Sequence, residues 1–210
     1  MADDINGLGG LEIFPFDPNW IRTPNTKFNV SRYFQGYPGS SNIVEELTAD
    51  VPVDLDLGFL IGDKESESIV IDFFNERKGR LEKFWVKYPE QQFIVKETSN
   101  IGSTILKCYP MLGESIMRGD ERIYIIMHDG DTIIKEVTNV EYSIADDATI
   151  LSLNTVLDRD IEADNGNHFI IAKLLLVRFG TDTLEIIAKS NLVSTASIRF
   201  HELVKEYVDI

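Results

Sequence analysis

A mainly β protein with one α-helix, built as a sandwich or split barrel with a small inserted β domain, is the fold class that three features of this 210-residue sequence predict. Apolar and polar residues alternate over short runs, turn-forming residues interrupt the chain too often for a βαβ repeat, and one stretch alone carries convincing helical spacing. About eight to ten strands are expected, and no internal repeat or low-complexity segment stands out.

Residues 1–42 are rich in turn formers ("NGLGG", "FPFDPNW", "RTPNT", "QGYPGSSN"), which excludes long helices there. The aromatics Trp20, Phe28, Tyr33 and Phe34 suit short edge strands or an arm lying on a neighbour. In "VPVDLDLGFLI" Val51, Val53, Leu55 and Leu57 alternate with Asp54 and Asp56, the pattern of a half-buried strand. The helix is expected over 67–79. Asp63 or Ser66 is placed to cap it, Glu65 and Glu67 complement its positive end, and Ile69, Val70, Phe73 and Phe74 make one apolar stripe. Gly79 suits the C′ position that ends it.

Beyond "RLEKFWVKYP" the pattern is β almost throughout. "RIYIIM" and "TIIKEVTNVEYSI" read as two strands joined at "HDGD", with Asp129 and Gly130 as the turn signal. "FIIAKLLLVRF" is apolar on both faces, as a central strand must be, and needs neighbours that the first half of the chain can supply. The expected organisation is therefore one β domain from 1–106 and 167–210, with 107–166 as an inserted β-hairpin domain.

A hydrophobic fraction of 43% and a charged fraction of 26% describe a globular chain with a core, not a disordered one. No apolar run is long enough for a membrane span, and "MADDINGLGG" lacks both parts of a secretory signal, so synthesis and folding in a cytoplasm are expected, with no membrane partner. A formal net charge of -15 argues against wrapping nucleic acid by neutralising phosphates. The single Cys108 and the scattered His128, His168 and His201 give no metal-ligand spacing, and no cofactor is expected.

Phosphate loop, dinucleotide fingerprint, nucleophile elbow and zincin motif are all absent. Cys108 reads as a small buried hydrophobe before it reads as a nucleophile. The pairs Asp146–Asp147 and Asp129–Asp131 read as turn acids. "DRDIEADNGNHF" alternates Asp158, Asp160, Glu162 and Asp164, yet it puts Ala163 and Phe169 where an EF-hand loop needs glycine and a bidentate acid. The tripeptide Arg118–Gly119–Asp120 reads as a turn, and the sequon at Asn29 has no role without secretion.

One stretch is left over. "DFFNERKGRLEKFWVKYP", residues 72–89, collects aromatics and cations in an acidic chain. A helix that buries its phenylalanines and leaves its cations in water accounts for part of it. The remainder is the Arg- and aromatic-rich composition of protein interfaces, so Phe73, Phe74, Arg77, Gly79, Arg80, Phe84 and Trp85 are the subunit-interface candidates. Copies could then meet head to tail, basic face on acidic face.

The same stretch resembles a segment of tailed-phage and gene-transfer-agent tail proteins with the pattern F-F-x-x-R-x-G-R-x-x-x-F, met here by Phe73, Phe74, Arg77, Gly79, Arg80 and Phe84. "LLLVRFGTDTLEIIAKSNLVSTASIRFHEL" is similar to the closing strands of tail-tip and distal-tail proteins, with Arg178, Phe179, Asp182, Leu184 and Glu185 at matching places. Together the two cover about a quarter of the chain. The resemblance implies a tail-tube-like β domain and a non-enzymatic virion protein that assembles with copies of itself. The assembly would be a hexameric ring at the distal end of the tail tube, in contact with tube and hub proteins, while DNA only passes through the lumen. Related hub proteins sometimes hold an iron–sulfur cluster through several cysteines; the lone Cys108 departs from that and favours the distal-tail ring. A hub or receptor-binding tip component, the latter acting through "MRGDER", and an envelope-degrading tail enzyme are the competing readings. An acidic lumen would let DNA slide where a basic one would hold it.

Overall fold

The computed structural model describes residues 8, 10–19, 53–88, 93–110, 121–127, 130–163, 170–190 and 193–203, and the backbone of 25–28, 32–35 and 43–46. Along the chain run β1 (Asn25–Phe28), β2 (Arg32–Gln35), β3 (Ile43–Glu46), β4 (Val53–Ile61) and α1 (Lys64–Glu76). A 3₁₀ turn (Gly79–Leu81) and β5 (Phe84–Lys87) follow, then β6 (Ile105–Cys108), β7 (Glu121–Ile126), β8 (Thr132–Ser143) and β9 (Ala148–Leu153). β10 (Ile170–Phe179), β11 (Ile186–Ala188) and β12 (Ser194–Glu202) complete the set. The protein is mainly β with antiparallel strand pairing, and α1 is the one α-helix among the described residues.

Contacts divide the chain into two units. The first holds Met1–Phe14, Trp85–Leu175 and Tyr207–Ile210, and the second holds Pro15–Phe84 and Leu176–Glu206. This division differs from the expected one, because Trp85–Leu106 groups with the segment expected to be an insertion. The pairing of β10 gives the reason. As expected it is a buried strand, with Ile171, Ala172 and Leu174–Val177 all inside. Its early residues, however, take β7 as neighbour (Ile170↔Ile126 to Leu174↔Arg122), and its last three take β12. β7 lies in the stretch that was expected to stand apart.

In the second unit β4 lies between β1 and β12, and β2 pairs with β3. Leu55, Leu57, Phe59 and Ile61 of β4 are buried, while Asp54 and Asp56 face the other way, as the alternation predicts. Opposite them on β12 stand His201 and Arg199, with His201 Nδ1 2.6 Å from Asp54 Oδ1 and Arg199 Nε donating to Asp56 Oδ1 at 2.7 Å. Short extended pieces do occur in the N-terminal region as β1–β3; Trp20, the sequon at Asn29, and the side chains of Phe28, Tyr33 and Phe34 lie outside the described residues.

The helix begins three residues earlier than expected because Asp63 takes the cap, accepting from the Ser66 amide at 2.6 Å in extended geometry. Val70 and Phe73 are buried, but Ile69 is 43% exposed, so the apolar stripe is narrower than its sequence spacing suggests.

In the first unit the order is β10–β7–β8–β9–β6. Its core gathers Phe93, Leu106, Ile123, Ile125, Val137, Leu151, Leu157 and Ile171. The strands read from "RIYIIM" and "TIIKEVTNVEYSI" are β7 and β8; His128 and Asp129 lie outside the described residues, and Gly130 takes φ 88° with its amide donating to Met127 O. β8 bends between Val137 and Asn139, where its register on β9 shifts. Before the bend its side chains are mostly buried, and after it mostly exposed.

Among the described residues of this unit two cations are buried. Arg122 lies 4.9 Å from the Trp85 ring centroid, with Glu136 at 3.7 Å. Lys135 Nζ donates to Val156 O at 2.7 Å and to Thr155 Oγ1 and Asp158 Oδ2 at 3.2 Å, pinning the 154–158 loop. A buried ammonium needs such partners, and removing it leaves the Val156 carbonyl without its donor. Lys135→Ala is expected to destabilise the protein by about 2 kcal/mol or more. A lower urea midpoint at unchanged m, with faster amide exchange near Leu157, would show it.

Candidate functional site

The residues singled out at 72–89 surround the end of α1. The Arg77 amide closes the helix on Phe73 O at 3.1 Å. Lys78 and Gly79 then both take left-handed backbone, φ 51° and 62°, and reverse the chain so that the Glu82 amide reaches Arg77 O at 3.2 Å. The left-handed step therefore begins on Lys78, one residue before the glycine expected to supply it. Gly79 is needed for another reason: a Cβ there would lie 2.9 Å from Asp182 Oδ1 and 3.3 Å from Asp182 Cα.

That close approach sets Arg80 against Asp182. The Arg80 amide donates to Oδ1 at 3.1 Å, Nε donates to Oδ2 at 2.9 Å, and Nη2 lies 2.7 Å from Oδ2. The Arg80 side-chain hydrogen bond, and then that of its amide, holds the Asp182 carboxyl below its ordinary value, and the same contact raises the guanidinium. Around it lies an open groove of about 600 Å³, lined by Phe74, Lys78, Gly79, Arg80, Leu81, Arg178 and Asp182. Three cations line it against one acid; Lys78 also meets Glu82 at 3.0 Å. Leu81 is 77% exposed at its rim.

Beneath the turn the phenylalanines pack on one another. Phe179 has its ring centroid 4.7 Å from Phe84, 4.8 Å from Phe74 and 5.8 Å from Phe200, and Phe73 meets Phe84 edge-on at 5.1 Å. Phe73 and Phe84 are thus part of the chain's own core, and Phe74 is half-buried. Arg77 is half-buried with its guanidinium 5.0 Å from the Phe73 ring. Trp85 is fully buried in the first unit, its Nε1 donating to Leu8 O at 3.0 Å and its backbone bridged to Glu12 and Phe14. Trp85, Phe73 and Phe84, named as subunit-interface candidates, are thus buried within the chain itself. Of the candidate set, Phe74, Gly79 and Arg80 line the groove.

Sequence reasoning missed Leu81 and Ile144. Both are apolar residues in turns, beside "GR" and "ADD", and that placement was the available signal. The burial of Lys135 and Arg122 was also missed, although each stands within an apolar strand pattern.

Several of the other chemical candidates have structural partners. Asp158 accepts from Lys135, and Asp160 Oδ1 accepts from the Ile101 amide at 2.6 Å. Asp146 accepts from Ser143 Oγ, and Asp147 from the Tyr142 hydroxyl at 2.6 Å. Arg118–Gly119–Asp120, His168 and Asp164 lie outside the described residues. Among the described residues no three His, Cys, Asp or Glu side chains group as metal ligands. Cys108 is buried, and loss of hydration pushes its thiol up to about 12, which leaves almost no thiolate at neutral pH. Neither a protein-family model nor a curated protein matches the chain.

Gly79→Ala is expected to cost about 1–2 kcal/mol from the left-handed backbone alone. Its Cβ must also displace Asp182, so the variant should lose the Arg80–Asp182 contact; a fall in melting temperature together with altered Arg80 Nε–H exchange would show both. Cys108 should resist a soluble disulfide reagent at pH 8 in the native protein and react at once in denaturant, as absorbance of the released thiol would report.

Proposed function

We propose that this protein is a structural component of a phage-type tail, forming a hexameric ring at the distal end of the tail tube that joins it to the hub or fibres and lets DNA pass. One observation carries the reading. The two stretches that resemble tail-tip proteins lie far apart in sequence, yet they converge: Arg80 bonds Asp182 across 102 positions, and Phe73, Phe74 and Phe84 pack on Phe179. Their meeting in one unit is what supports reading the two stretches together.

Within this reading the β strands form the tail-tube-like sandwich or split barrel, and α1 braces it through the phenylalanine cluster. The function is mechanical, with no reaction assigned to any residue. The acidic balance of -15 suits a conduit for DNA, because phosphates meet repulsion along the wall and are not retained.

Immunogold labelling of purified particles tests the proposal. Label confined to the distal end of the tail is expected, with tails failing to join tip structures when the gene is deleted. Complete tails without the protein would overturn it. Release of soluble fragments from purified peptidoglycan, lost on a single acid-to-amide change, would favour an envelope-degrading enzyme.

A further inference from the structure

The two most exposed large apolar side chains among the described residues are Ile144 at 86% and Leu81 at 77%. Leu81 rims the cationic groove beside α1. Ile144 begins the turn 144–147 that joins β8 to β9, at the end of the part of β8 whose side chains turn outward. Turns of this kind accept polar residues without strain, so closing the hairpin does not require an isoleucine in water.

The turn is built firmly. Tyr142 and Ser143 bond Asp147 and Asp146, and Lys96 Nζ donates to both of their backbone carbonyls at 2.6 and 2.7 Å. It carries two acids and no cation of its own, although Lys107 approaches Asp146 at 3.7 Å. The groove has the opposite character, with Lys78, Arg80 and Arg178 against Asp182 beside the apolar Phe74 and Leu81. Lys78 and Asp147 are also the two non-glycine residues of positive φ among those described, so strained backbone marks both surfaces.

We propose that the β8–β9 turn of one copy docks in the α1 groove of a second, with Ile144 against Leu81 and Phe74 and with Asp146 and Asp147 facing Lys78, Arg80 and Arg178. The occupant is another copy because the chain itself offers an exposed apolar side chain beside two acids, with Lys96 and Lys107 behind them, that matches a partly apolar groove lined by three cations and Asp182. Two chains of charge -15 repel at a distance, and a local match of opposite charge offsets that repulsion where they touch. Plug and groove are different surfaces, so the contact is head to tail and each copy offers both, the arrangement from which a ring is built when the rotation between copies closes. The contact rests on the ring reading above and names the joint within it.

Cysteine crosslinking of the purified full-length chain tests the contact. Both positions are highly exposed, so substitution leaves the fold intact, and buried Cys108 stays out of the reaction. Ile144→Cys and Leu81→Cys proteins, mixed under mild oxidation, should give a mixed disulfide dimer at least about tenfold faster than either protein alone, through the raised local concentration. Adding Arg178→Glu to the Leu81→Cys copy should cut that rate to the unmixed level with circular dichroism unchanged. A chain carrying both cysteines should form a ladder of oligomers. Equal rates in mixed and unmixed samples, or a dominant Ile144→Cys homodimer, would overturn the docking. Because no particles are involved, failed crosslinking of a protein that labels tail ends discards this contact and keeps the ring reading. Successful crosslinking of a protein absent from tails does the reverse.

Discussion

The second unit depends on the phenylalanine cluster around Phe179. An antiparallel sheet face cannot stay dry alone, and α1 is the cover that the chain supplies through Phe73 and Phe74. Burying each aromatic ring contributes about 1.5–3 kcal/mol, and favourable ring geometry adds about 0.5–1.5 kcal/mol per pair. Phe84 closes the cluster only if the chain turns back sharply after the helix. The left-handed Lys78–Gly79 pair provides that reversal, and the missing Cβ at Gly79 admits Asp182. The exposed Arg80–Asp182 ion pair contributes little energy of its own. It sets direction, fixing where the turn stands against the loop after β10.

Charge is distributed more unevenly than composition suggests. Among the described residues Arg122 and Lys135 are buried, and Lys173 is largely so against Glu121, which takes these three cations out of the surface. Against that background a groove with three cations is a local reversal of sign, and it persists although Lys78 and Arg80 each have an acid of the same chain nearby.

Much of the strand pattern was legible in the sequence because a sheet with one dry face imposes a period of two, as Leu55, Leu57 and Phe59 display against Asp54 and Asp56. The helix was legible through its cap and glycine, although it starts at Lys64, directly after the Asp63 cap. What failed was the inference from composition to exposure. Phe84, Trp85 and Val86 are consecutive and all buried, so this strand is covered on both faces and shows no alternation. Beside Lys83 and Lys87 the tryptophan looked like a surface anchor; its cover comes from Leu8, Glu12 and Phe14, far earlier in the chain. Arg77 stands at the helix end with its guanidinium over Phe73, a contact four residues back that composition alone does not single out. Long-range partners like those of Trp85 leave no trace in local spacing.

Leu81 and Ile144 present the opposite case: apolar residues in turns, where neither periodicity nor burial asks for them. Folding accounts for the backbone of both turns through glycine, Asp147 and the hydrogen bonds of Ser143 and Tyr142, but not for the side chains. A polar residue at either site would satisfy the same turn and improve solubility. Each apolar side chain is instead held out from a firmly bonded loop, one beside cations and the other beside acids. Such pre-ordering reduces the entropy lost when a partner arrives, which is of greater use to an assembling subunit than to an isolated fold.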